Sequence, residues 1–288
     1  MGDFLQCSGD TDYAFTDGRA SQAVLVLDKI ARAPHGIEGK CQLIATMAAT
    51  KLATGTELLL ASAKAQKDYD KAMRRAIVGS HFKQPWISLQ TLLAVCVKGH
   101  LMSAFNVHAN RTLATALRQI RKSNHIQGAF EHFYDRFRQG DDLKTPFNHF
   151  VNVIQALGWS WTAPFQLTTE FELVFDLRTT PSDVFWHFVR LSQRRILCMS
   201  VPVTRHDLAG IQLFSTVDFV ASTILLRRKT GDFAAGANTK HRGMLISLLS
   251  GMVHTQQRMS RAGASADVSP VCPYCNSGEE TLLHIIFK

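Results

Sequence analysis

The chain has 288 residues, 46% hydrophobic and 19% charged, which is enough apolar material for a sizeable core and excludes a disordered polypeptide. Lys and Arg outnumber Asp and Glu by 32 to 23, a formal charge of +9, so a polyanion, and nucleic acid first among polyanions, is the expected partner. Six cysteines, four of them scattered (Cys7, Cys41, Cys96, Cys198), make no disulfide framework and fit an intracellular compartment, cytoplasm or nucleus; no secretory leader and no membrane-spanning apolar run is expected.

Residues 1–20 are polar and glycine-rich and read as a flexible terminus. Asp10, Asp12 and Asp17 lie close together there, but a Mg²⁺ site needs carboxylates fixed on neighbouring strands, and no strand pair surrounds them. An apolar run from Ser21 to Arg32 predicts a helix ended by Pro34. Ile37, Cys41, Ile44, Ala48 and Leu52 recur at helical spacing and predict a second, to Thr54, stopped by Gly55. Ala65 to Val78 predicts a third, with Lys71, Arg74 and Arg75 near its C-terminal end, where cations complement the dipole.

Pro85 opens the next helix, with Trp86, Leu89, Leu92, Leu93 and Cys96 facing a core. Asn110 to Lys122 follows with Leu113, Leu117 and Ile120 on one face. Ile126, Phe130, Phe133 and Phe137 step by four, three and four, a helix whose aromatic stripe is read as core rather than as a platform for bases. Pro146 opens a helix capped at Gly158. The stretch Trp159 to Phe175 then predicts one small β-hairpin, centred on residues 164–176. Pro181 restarts helix, with Val184, Phe185, Phe188 and Val189 inward and Arg190, Arg194 and Arg195 outward, until Pro202 breaks it. Further helices are expected over residues 207–213, 217–229 and 239–253, before a small-residue linker from Gly263 to Pro270. The expected fold is mostly α: an irregular helical array with one small hairpin.

Enzyme signatures are absent. There is no nucleophile elbow, phosphate loop, dinucleotide fingerprint or His-Glu-x-x-His, and the histidines are scattered. His149 and His187 flank apolar faces and read as satisfied packing residues, and Glu170 and Glu172 as solvated. Independent catalysis is therefore not expected. The sharpest motif is at the C-terminus: Cys272-Pro-Tyr-Cys275-Asn-Ser-Gly-Glu-Glu-Thr-Leu-Leu-His284-Ile-Ile-Phe-Lys288. Two thiolates on a tight turn and an imidazole from a following helix supply three corners of a tetrahedral Zn²⁺ site. Incidental reduced cysteines are one alternative. A redox dithiol is another, although it normally opens a helix in a βαβ unit, and none surrounds this pair.

This tail resembles the zinc-binding tail of non-LTR retrotransposon reverse transcriptases, and Gly251-Met-Val-His-Thr-Gln-Gln-Arg-Met-Ser-Arg-Ala-Gly263 is similar to the helix that leads into it. Lys29-Ile-Ala-Arg-Ala-Pro34, Thr50-Lys-Leu-Ala-Thr-Gly-Thr-Glu57 and Arg74-Arg-Ala-Ile-Val-Gly79 resemble the helical thumb that follows the polymerase palm. The resemblance implies a thumb-like segment at 21–80, a helical connection at 81–263 and an incomplete zinc knuckle at 264–288, whose fourth ligand is expected directly after Lys288. It implies Zn²⁺ on Cys272, Cys275 and His284, and RNA, DNA or an RNA–DNA hybrid held by phosphate contacts from Lys51, Arg74 and Arg75. The implied function is a non-catalytic nucleic-acid-binding portion of a reverse transcriptase polyprotein without its palm. The alternatives are a helical protein-interaction scaffold with an incidentally basic surface, and a decayed gene fragment without independent function.

Overall fold

A computed structural model describes residues 13–56, 59–78, 93, 99–141, 146–204, 260 and 269–280. The helix expected from Pro85, apart from Leu93, and the helices expected over 207–253 lie outside the described residues, as does His284. The described chain is mostly α-helical with one small antiparallel sheet. Among the described residues no helix is long and apolar enough to cross a membrane.

Helix α1 (Ala14–Arg32) begins seven residues before the expected Ser21, so the flexible terminus does not extend to residue 20. The reason is local. Asp17 Oδ1 accepts the Ser62 N–H at 2.8 Å and its Oδ2 accepts the Ser62 hydroxyl at 2.7 Å, while Thr16 is buried and donates to Leu60 O. The first turn is thus tied to a segment 45 residues away, and Asp17 is structural. Helix α2 (Ile37–Leu43) passes through a π-helical turn (Ile44–Ala48) into α3 (Ala49–Ala53). Thr46, Thr50 and Thr54 each donate to the carbonyl four residues earlier, at 2.8, 2.9 and 3.0 Å, and this back-bonding loosens the α-helical ladder that the π turn interrupts. Gly55, at φ 82°, ends the run as expected, a conformation that costs glycine little.

Helix α4 (Ala63–Val78) packs mainly on α1. Together with α2, α3 and the start of α5 (Ala104–Lys122) they bury a first core containing Leu27, Ile30, Ile44, Leu52, Tyr69 and Met73. Each such large side chain contributes about 1.5–3 kcal/mol by leaving water. Helix α5 starts six residues before the expected Asn110, because Ser103 caps it by accepting the Asn106 N–H.

The second core lies beyond α5. Helix α6 (Asn124–Arg138) carries the aromatic stripe and α7 (Pro146–Ala156) faces it. Phe133 stacks on Phe147 at 4.0 Å, and Phe130, Tyr134, Phe137 and Phe150 surround Trp161, so these rings are core as expected. Gly158, at φ 81°, ends α7 with paired bonds, Trp159 N–H to Ile154 O and Gly158 N–H to Gln155 O.

The expected hairpin is a three-stranded meander, β1 (Ser160–Ala163), β2 (Gln166–Thr168) and β3 (Val174–Asp176), in the order β1-β2-β3. Trp161 pairs with Leu167 and Leu167 with Phe175, so one buried row crosses all three strands. Helix α8 (Ser182–Thr204) buries Phe185 and Val189 as expected, but Val184 is exposed. It runs two residues past Pro202, which sits in the last turn and removes only one donor there instead of ending the helix. Arg195 does not face solvent alone: it pairs with Glu170 at 3.1 Å, and Glu170, expected to be solvated, is nearly covered.

Candidate nucleic-acid interface

Helix α4 divides into two opposed faces. Tyr69, Ala72, Met73, Ala76 and Ile77 are buried. Diametrically opposite, Lys64, Lys67, Lys71 and Arg75 are exposed and Arg74 is half-buried. The steps between these cations are three, four and three or four residues, so all five fall on one stripe. At 1.5 Å per residue the stripe is about 16 Å long, roughly five nucleotide steps along one strand. Among the described residues none of the five forms an ion pair. Lys64 lies in the first turn, where the helix dipole disfavours a cation, so helix stability does not account for it.

Two clamps fix α4. At its start, Ser62 Oγ accepts the Ala65 N–H while the Ser62 N–H and hydroxyl are held by Asp17. In its middle, Asp70 Oδ1 accepts the Ala104 N–H at 2.9 Å, at the N-terminus of α5. Burial pushes the Asp70 carboxyl up to about 6, against the opposing effect of the Ala104 hydrogen bond. The basic stripe is therefore presented on a rigid element.

Of the three expected phosphate contacts, Arg74 and Arg75 lie together on this stripe. Lys51 is exposed in the last turn of α3, a different helix. Lys64 and Lys67 were not among the expected contacts, although their spacing to Lys71 and Arg74 was readable once the buried face was known.

The tail forms a compact turn. Val271 bridges Glu279 in antiparallel fashion, the Cys272 N–H donates to Gly278 O at 2.9 Å, and the Glu280 N–H donates to Pro270 O at 2.8 Å. Inside this frame the Asn276 N–H donates to Cys272 O at 2.9 Å, and Asn276 takes φ 50°, a left-handed conformation that asparagine tolerates. Cys272 is buried, Cys275 is exposed, neither forms a disulfide, and the Ser277 hydroxyl donates to Cys275 Sγ at 3.1 Å. Two thiols on one hydrogen-bonded turn are a donor pair that suits zinc. Among the described residues no third His, Cys, Asp or Glu joins them.

No protein-family model, curated protein or solved structure matches this chain.

Proposed function

We propose that the chain is a non-catalytic nucleic-acid-binding portion of a retroelement reverse transcriptase, gripping RNA, DNA or an RNA–DNA hybrid by its sugar-phosphate backbone. The observation that carries this reading is the stripe of five cations opposite the buried face of α4. Such contacts position a duplex without reading its sequence. The aromatic rings of α6 pack against α7 and Trp161, so they supply no stacking platform, and affinity comes mainly from charge.

Zinc belongs to the same proposal. Cys272, Cys275 and His284 would hold it, and a structural zinc supplies folding free energy to the tail and no chemistry to a substrate. Pro270, Gly278 and Asn276 shape the turn that presents the two thiols.

The test is a salt titration of binding to a short RNA–DNA hybrid duplex. If the five stripe cations each contact a phosphate, log affinity falls with log salt at a slope of about −4.5, roughly 500-fold between 50 and 200 mM. Absence of binding at 50 mM salt would exclude the reading and favour a protein-interaction scaffold.

A further inference from the structure

Helix α5 belongs to both cores. Ala104 and Val107 lie in the first, and Ala109, Leu113, Leu117 and Ile120 in the second. Helix α8 does likewise, with Phe185 and Val189 in the second core and Leu197 packed on the first. Where the cores meet, the buried side chains are polar. Asn106 and His108 flank Val107 at 3% and 1% exposure, and Gln193 on α8, at 1%, donates to Asn110 Oδ1 at 3.0 Å.

This layer is poorly satisfied among the described residues. Both ring nitrogens of His108, His149 Nδ1, the Asn106 amide nitrogen and Gln193 Oε1 are buried without a hydrogen-bond partner. So are the hydroxyls of Thr112 and Thr115, which share one face of α5 with His108 at i, i+4, i+7. His149 was expected to be a satisfied packing histidine and is not; His187 is exposed. Native interiors pair nearly all buried polar groups, so a run of orphans along α5 where α7 packs on it marks the weakest plane of the second core.

We propose that this polar layer is an acid-operated latch: uncharged imidazoles at His108 and His149 let α7 close on α5, and proton uptake by them opens the second core while the first remains folded.

The charges around the pair do not counter such uptake. Lys51 on α3 is exposed, Asp70 on α4 is engaged by Ala104 beside the buried Tyr69 hydroxyl, and the charged groups of α6, Glu131 and Asp135 among them, face solvent. Strand β1 carries no titratable group. On α8, Arg195 is paired with Glu170, Arg190 is exposed and Arg194 is half-buried, as is Arg111 on α5; the His100 side chain, in the turn before α5, lies outside the described residues. Burial, with His149 adding to it, pushes His108 down to about 4, and burial lowers His149 as well. A base lowered by closure is protonated on opening. Between pH 7.5 and pH 5, His108 alone raises the opening equilibrium about 30-fold.

Hydrogen exchange of the full chain, read by mass spectrometry at pH 7.5 and pH 5 and corrected for intrinsic rates, tests this. The expected result is a loss of protection of about 30-fold or more in the middle of α5 and in α7 at pH 5, with α1 and α4 still protected. His108→Gln, which has no charge to gain, removes most of that response and leaves only the smaller share carried by His149. If His108→Gln does not fold, His149→Gln carries the test with a partial reduction. A uniform loss across both cores, or an unchanged pH response in the folded variant, would overturn the proposal. The outcome is independent of whether nucleic acid binds.

Discussion

Replacing Asp70 with asparagine keeps an oxygen that can accept the Ala104 N–H and removes the charge. In the folded chain burial raises this carboxyl from 3.8 to about 6, so the native state holds its proton more tightly than the unfolded chain does. The native state therefore binds more protons between about pH 4 and pH 6, and stability falls as pH rises through that window. Above it the buried carboxylate costs at most about 3 kcal/mol, with the Ala104 hydrogen bond already counted. Asp70→Asn is expected to be more stable than the parent chain by that amount at pH 8 and equal to it near pH 4. Urea unfolding from pH 4 to pH 8, followed by far-UV circular dichroism, reads the difference. A variant less stable than the parent at every pH, by a constant amount, would mean that Asp70 acts as an ionised clamp and that the burial argument is wrong.

Arg121 donates from Nε to Leu177 O at 2.9 Å, from Nη1 to Ser182 Oγ at 2.8 Å, and from Nη2 to Thr180 O, tying α5 to the turn that opens α8. Arg121→Ala should cost about 1–2 kcal/mol in thermal or urea unfolding, and Arg121→Lys should recover little of it, because only the planar fork reaches three acceptors; full recovery by lysine would contradict this. For the tail, a variant with one Cys added after Lys288 should hold one equivalent of zinc more tightly than the parent chain, and Cys272→Ser or Cys275→Ser in that variant should lose it. Zinc retained in both substituted forms, or none in the extended variant, would remove these thiols from the account.

Much of the described architecture was legible because helical periodicity was strong. The 3.6-residue recurrence of Ile44, Ala48 and Leu52 and the Phe130, Phe133, Phe137 stripe placed their helices and their buried faces correctly. Boundaries shifted where a distant partner intervened. Asp17 holds Ser62, so α1 begins at Ala14, and nothing in the composition of residues 1–20 signals a bond across 45 positions. The third strand was hidden because Val174 and Phe175 are too short a run to be told from the end of a hairpin. Its pairing depends on the turn at Thr169, whose hydroxyl accepts the Phe171 and Leu173 N–H groups. Glu170 and Arg195 lie 25 residues apart and read as two solvated charges until the fold joins them. The polar layer escaped for the same reason. His108 and His149 carry no motif, and their meaning lies in burial, which scattered histidines do not reveal. The basic stripe was half visible: Arg74 and Arg75 stood out as a pair, while Lys64 and Lys67 needed the opposite face of α4 to be fixed first.

The central claim is that the outer face of α4 holds a phosphate backbone, and the most direct measurement is the salt slope of hybrid-duplex binding for the combined Lys67→Ala, Lys71→Ala and Arg75→Ala variant. All three side chains are exposed, and alanine favours helix, so the fold is expected to survive. Removing three phosphate contacts should bring the slope from about −4.5 to about −2 and weaken binding most at low salt. A parent-like slope and affinity in the folded variant would show that the nucleic acid, if bound at all, is held elsewhere.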